Sequence, residues 1–274
     1  MRVNTIITAI IIYKMNKFIQ KLFLKKKRRL SLGEMINLEK KIIGEKIHKI
    51  YNGRVALGPY KNTRIIPEEK WSFDLGSKIL GVYEKQVQEA INNLSKKKKI
   101  KTLVNFGAAE GFHLTGLIKN RILKRCLAFE IDDTTKKTLK KNIKLNKIEK
   151  KVKIFSEANF NITNKLINPV ELKKTLFLID IEGMEYKIIT ENNLKFFKTS
   201  YLLIEKHPFV EKNKNKKLKF DKLLKKHFII ENIKNSQRNP FMNELKNLND
   251  DTRWILMSEG RPCEMEWILC HPKR

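Results

Sequence analysis

An apolar run that meets a glycine turn and then continues as a helix constrains this chain more than any other stretch. Val104, Asn105 and Phe106 read as the end of a buried strand, and Gly107-Ala108-Ala109-Glu110-Gly111 as a tight turn. The residues beyond it carry Leu114, Leu117 and Ile118 on one helical face. Gly107 allows the backbone to turn sharply at the carboxyl end of the strand, and Gly111 allows the next helix to sit close. Glu130 follows 19 positions after Gly111, at the end of a second apolar run, where a carboxylate can accept hydrogen bonds from ribose hydroxyls. This is the layout of a nucleotide cradle. A plain tight turn and a solvated strand end are the structural alternatives for the glycines and for Glu130.

From residue 101 onward the pattern alternates. Strands are predicted at 102–106, 126–131, 152–155, 176–181 and 201–205, with helices between them, the second carrying Leu139 and Ile143. Strand–helix alternation implies right-handed crossovers and a mostly parallel, Rossmann-like, doubly wound sheet. The tail differs, with strands at 227–230 and 265–269 separated by a long loop-rich excursion through Asn239-Pro240 and Gly260-Arg261-Pro262. Upstream, helical spacing runs over 35–50 and 75–93, with turn signals at Asn52-Gly53 and Gly58-Pro59 and a stop at Lys96 to Lys99. Three segments result: a basic arm over 1–30, an extension or substrate cap over 31–100, and a nucleotide-binding domain over 101–274.

At 274 residues the chain is long enough for one full α/β core. Its net charge of +30 invites a nucleic-acid or anionic-membrane partner, because clustered cations gain affinity by releasing counterions from phosphate. The excess is nearly all lysine, 48 Lys against 11 Arg, beside 25 Asn and 34 Ile, which is the mark of AT-rich codon usage spread over every surface. A solvated surface is therefore the favoured reading. Cys126, Cys263 and Cys270 form no CxxC pair, which suits a reducing cytoplasm.

Ile6 to Ile12 is apolar but is closed by Lys14 and Lys17, short of the roughly 20 residues a spanning helix needs. No small-residue cleavage site follows it. Met15 opens an alternative start, which would make the first fourteen residues a translation-start artefact. Residues 15–24 and the five cations Lys25 to Arg29 could rest on the inner membrane surface as a peripheral contact, at about 1 kcal/mol per cation. A frayed basic arm is the bland alternative.

Four motifs in order, Asn105-x-Gly107-Ala108-Ala109-Glu110-Gly111, Phe129-Glu130-Ile131-Asp132, Asp180-x-Glu182-Gly183-x-Glu185 and Glu205-x-His207, resemble class I S-adenosylmethionine-dependent methyltransferases, specifically the FkbM-type family. The resemblance covers residues 75–271, and Leu80-Gly81-Val82-Tyr83-Glu84 is similar to the segment before the family's first strand. It implies a seven-stranded sheet with an antiparallel last strand and S-adenosylmethionine as cofactor. Asn105, Gly107, Ala108, Glu110 and Gly111 would line the cofactor's amino acid portion. Glu130 would bind its ribose, Ile131 would be a further cofactor-binding residue, Ser156 to Ala158, with Glu157 and Ala158 in the cofactor set, would flank its adenine, and Asp180 would contact cofactor or acceptor. Many relatives carry an acidic residue at Asn105 and a glycine at Ala109.

Methyl transfer from a sulfonium asks the protein to position an acceptor, exclude water and remove a proton. Asp180, Glu182, Glu205 and His207 are the candidate catalytic groups, with His207 as a general base near neutral pH. The alternatives are that Asp180 and Glu182 cap the next helix and that His207 orders a loop. The four could hold a divalent ion, but their spacing is not a recognised ligand set and no metal is expected. His113 faces either the cofactor or solvent. The leading activity is O-methylation of a hydroxyl on a small molecule or glycan. RNA methylation lacks an Asn-Pro-Pro-Tyr-type motif, a dinucleotide oxidoreductase shares the cradle but not the later motifs, and a non-catalytic binding module on nucleic acid or anionic membrane completes the alternatives. The acceptor pocket is expected from residues 31–100 and 235–262.

Overall fold

A computed structural model describes residues 30–67, 72–158, 160–259, 261 and 265–273. The basic arm, including the candidate membrane contact at 15–29, and Cys263 lie outside the described residues. The chain divides into two compact units, Met1–Glu39 and Lys40–Arg274. In the first, Ser31 and Glu34 form a reciprocal capping box: Ser31 N donates to Glu34 Oε2 at 2.8 Å and Glu34 N to Ser31 Oγ at 3.3 Å. The helix that begins there runs over Leu32–Ile50.

The second unit is built on a seven-stranded sheet. Its strands are β1 Thr102–Phe106, β2 Arg125–Phe129, β3 Val152–Phe155, β4 Thr175–Ile179, β5 Tyr201–Lys206, β6 Phe228–Ile233 and β7 Glu266–Pro272. The order is β3-β2-β1-β4-β5-β7-β6, and β7 alone runs antiparallel to its neighbours. β1 and β4 are buried at every position, as central parallel strands covered on both faces must be. That explains their unbroken apolar runs. Alternate residues feed two apolar clusters. One gathers Leu103, Leu176, Leu178 and Leu203 with Val55, Tyr60, Ile79, Ile91 and Leu114. The other gathers Val104, Phe106, Phe129, Phe177 and Ile179 with Phe160, Phe197 and Phe220. Residues 40–100 thus share their core with the sheet.

Two expectations are corrected. The helical spacing over 75–93 is two helices, Leu75–Leu80 and Lys85–Lys98, broken at Gly81, which adopts φ 79°. A Cβ on Gly81 would lie 2.2 Å from Leu57 O, so the break is set by a segment distant in sequence. The tail excursion also contains a helix, Asp250–Met257, whose Asn249 side chain accepts from Thr252 N. Its start signal, an Asn cap followed by two acids, was present in the sequence. Only Leu256 and Met257 are buried there, too few for a legible apolar stripe.

The chain builds outward from β1 to β3, then returns to β4 on β1's other side. The carboxyl ends of β1 and β4 therefore flank the topological switch point, where open α/β sheets bind ligands.

Candidate functional site

The turn after β1 is shaped mainly by what lies beside it. Gly107 has φ 77°, and a Cβ there would fall 1.7 Å from Asp180 O, the backbone at the end of β4. The neighbouring chain therefore requires a glycine at this turn. Gly107 N and Ala108 N both donate to Phe129 O, at 3.1 and 2.9 Å. Asn105 is buried in β1 and its Nδ2 donates to Gly107 O at 3.2 Å. Ala109 is held left-handed at φ 46°. Gly111, at φ 89°, caps the helix Phe112–Lys119, and a Cβ there would meet Leu139 Cδ1 at 2.5 Å. The close approach is to the helix Asp133–Leu145, not to the next helix, the one that Gly111 opens and that the sequence had pointed to.

Glu130 is not a solvated strand end. It is buried, with Oε2 accepting from Ala109 N and Oε1 from Asp132 N, each at 2.8 Å. One carboxylate thereby ties the glycine turn to the start of the helix Asp133–Leu145, which Asp132 caps through Thr135 N. Ile131, next to it, is 75 % exposed. Glu157 and Ala158 follow β3, whose last carbonyl, Phe155 O, accepts from Glu130 N at 3.1 Å.

Glu110 is buried against Lys78, with Nζ 2.6 Å from Oε1. His113, partly buried, is held between Glu84 and Tyr60. Its Nε2 is hydrogen-bonded to Glu84 Oε2 at 2.7 Å and its Nδ1 to the Tyr60 hydroxyl at 3.0 Å. Glu84 sits in a left-handed conformation, φ 43°, and is also bonded by Arg261, which bridges to Glu205 and Glu259. Lys78, Glu84 and Arg261 are site residues that sequence reasoning passed over. Glu84 and Arg261 lay in stretches already singled out, but nothing in the sequence joins positions 177 apart.

The ends of β4 and β5 bring Asp180, Glu182, Glu205 and His207 together. His207 Nε2 lies 3.6 Å from Asp180 Oδ1, 3.5 Å from Glu205 Oε2 and 3.5 Å from Glu182 Oε2. Glu182 and Gly183 are both left-handed, φ 51° and 94°, and turn the chain under the cluster. Glu185, fully buried, supports it: Oε2 accepts from Gly183 N at 2.9 Å, while Oε1 accepts from His207 N at 3.0 Å and lies 3.2 Å from Nδ1. The following helix starts at Glu185 behind Met184 with no side-chain cap. Asp180 and Glu182 are therefore not capping residues.

Burial first, then neighbouring carboxylate charge, pushes Asp180 and Glu205 above the usual carboxylate range. Two such groups share protons instead of both ionising. Burial opposes charge on His207, but the Glu185 hydrogen bond and the carboxylates outweigh it and raise its pKa. An imidazole so placed must lose a proton before it can act as a base.

Beyond Arg261 lies a cavity of about 460 Å³ lined by Gln86, Arg238, Trp254, Met257, Glu259, Arg261 and Trp267, among others. Its walls come from the 235–262 excursion, the helix Lys85–Lys98 and β7.

No protein-family model and no curated protein matches this sequence. Among solved structures, the chain is similar to the O-methyltransferase TomG from Streptomyces achromogenes, determined in complex with SAM. That similarity has 9 % identity, covers 86 % of this chain and 90 % of that one, and has a TM-score of 0.49. It is also similar to the precorrin-6y C5,15-methyltransferase from Geobacter metallireducens, at 14 % identity over 76 % and 94 % of the two chains, TM-score 0.42. The tRNA methyltransferase TrmK of B. subtilis shares 9 % identity over 68 % and 64 %, TM-score 0.45.

Proposed function

We propose that the chain is an S-adenosylmethionine-dependent methyltransferase of the FkbM type, acting on a hydroxyl of a small molecule or glycan. The observation that carries this reading is the fixed carboxylate of Glu130 at the carboxyl end of β2, beside the glycine turn. Each Glu130 oxygen accepts one backbone N–H and keeps a lone pair for a ribose hydroxyl. The exposed apolar side chain of Ile131 suits one face of an adenine, and Glu157 and Ala158 stand on the adjoining strand end. These residues fit the cofactor. When bound, it supplies an electrophilic methyl on a sulfonium for in-line displacement.

The chain's own groups then have two tasks. With no ion bound, the raised carboxyls of Asp180 and Glu205 can hold the proton released by an acceptor hydroxyl. The cavity walled by Trp254, Met257 and Trp267 can shield the acceptor from water, with Arg238 and Arg261 as hydrogen-bond donors. The concentration of carboxylates around His207 disfavours a polyphosphate acceptor such as RNA at the reacting end, despite the net charge of +30.

Calorimetric titration with S-adenosylmethionine and its demethylated product, with NADH as control, tests the reading. Binding of the first pair alone is expected, and Glu130→Ala should weaken it by about tenfold to a hundredfold. Binding of NADH, or of neither ligand by folded protein, would overturn it.

A further inference from the structure

Asp180, Glu205 and His207 each offer one donor atom, and these atoms lie within 4.8 Å of one another. The spacing in sequence suggests no ligand set, and only the pairing of β4 with β5 makes one. The 3.5 to 3.6 Å separations around His207 Nε2 are too long for good hydrogen bonds. They are slightly longer than the about 3.0–3.4 Å that separates adjacent donor atoms when each lies about 2.1 Å from one small ion, so a small inward shift would seat it.

Two further observations point to a cation here. Asp180 Oδ1 is fully buried and has no hydrogen-bond partner among the described residues. His207 is 2 % exposed, and its Nε2 stands 3.5 to 3.6 Å from one carboxylate oxygen each of Asp180, Glu182 and Glu205. Its other nitrogen is tied to buried Glu185, the outer-shell arrangement that fixes a ligating imidazole and raises its basicity. Arg261 engages Glu205 through Oε1, so that Oε2 is the oxygen near His207.

We propose that Asp180, Glu205 and His207, with Glu182 as an outer fourth donor, bind one divalent transition ion. The imidazole selects an ion of the Mn²⁺, Fe²⁺, Co²⁺ or Zn²⁺ class over Mg²⁺ and Ca²⁺, which prefer oxygen alone. Ion binding goes beyond the methyltransferase reading and is measured without any methyl donor. Only its consequence, polarisation of an acceptor hydroxyl, rests on that reading.

The test uses full-length protein stripped of metal, titrated calorimetrically with Mn²⁺ near neutral pH. Saturable one-site binding is expected, with Mg²⁺ and Ca²⁺ weaker by about tenfold or more. Pulsed electron paramagnetic resonance of the Mn²⁺ complex should show coupling to a single imidazole nitrogen, a readout that needs no variant. Glu185→Gln should weaken Mn²⁺ binding by about 10- to 100-fold with the far-UV spectrum unchanged, and His207→Ala should abolish the nitrogen coupling. Absence of saturable Mn²⁺ binding by folded protein, which would leave a proton as the occupant of Nε2, overturns the proposal. So does a Mn²⁺ complex without nitrogen coupling, or equal affinity for Mg²⁺. Titration with S-adenosylmethionine in the presence of a chelator keeps failure here separate from failure of the methyltransferase reading.

Discussion

Gly107 and Glu84 illustrate how single residues here are held by partners far along the chain. At Gly107 the constraint is twofold, a left-handed backbone and a Cβ position occupied by Asp180 O. Gly107→Ala is therefore expected to cost about 3 kcal/mol or more, seen as a lower urea midpoint, and to do so without any ligand present. At Glu84, burial pushes the carboxyl up, but the His113 hydrogen bond and the charges of His113, Arg261 and Lys78 overcome it and bring it down to about 2. A carboxyl lowered from its ordinary 4.5 contributes stability that is present above that value and is lost as pH falls toward 2. Glu84→Gln should therefore lower the melting temperature at pH near 7 and have a much smaller effect at pH near 2, with an intermediate effect at pH near 3. Equal effects at pH near 7 and near 2 would show that the charge of Glu84 is not what stabilises the fold.

The elements divide by how local their signals are. β1, β3 and the helix Asp133–Leu145 were legible because burial periodicity, the glycine turn and an Asp cap all lie within a few residues of one another. The break at Gly81 was not, because the atom that requires a glycine belongs to Leu57. The helix Asp250–Met257 was missed because it buries so little that loop composition dominates its pattern. The cap of Asp133–Leu145 also joins this element to the site, since Glu130 accepts from Asp132 N. Asp132→Ala should cost about 1 kcal/mol in chemical denaturation, the usual value of a helix N-cap. If Glu130 orients the cofactor, the same variant should weaken S-adenosylmethionine binding, which an isolated helix cap would not do.

At the scale of the whole molecule, the +30 charge and the carboxylate cluster are unlike each other in origin. The lysines are dispersed through the sequence, whereas Asp180, Glu182, Glu185 and Glu205 converge on one imidazole. No described helix is long and apolar enough to cross a membrane. Peripheral attachment through residues 15–29 is a proposal with a direct check: deleting residues 1–29 should release the protein from anionic vesicles and leave S-adenosylmethionine binding intact. Undiminished vesicle binding would assign the attraction to the dispersed lysines.

Sequence alone determined the strand–helix alternation, the glycine turn, the acid at the end of β2 and the two tail strands, while the antiparallel run of the last strand was implied by the family resemblance. Periodicity, caps and turns act through neighbours in the chain, so they can be read in order. Tertiary structure alone decided that Glu130 ties the glycine turn to a helix start, and that His113 and Arg261 meet on Glu84. It also decided that β4 and β5 deliver three donor atoms to one point. The contacts that close these arrangements join residues as far as 21 to 177 apart, such as Glu130 with Ala109 and Arg261 with Glu84, and they exist only after the sheet has paired, because no local property of either partner encodes the other's position.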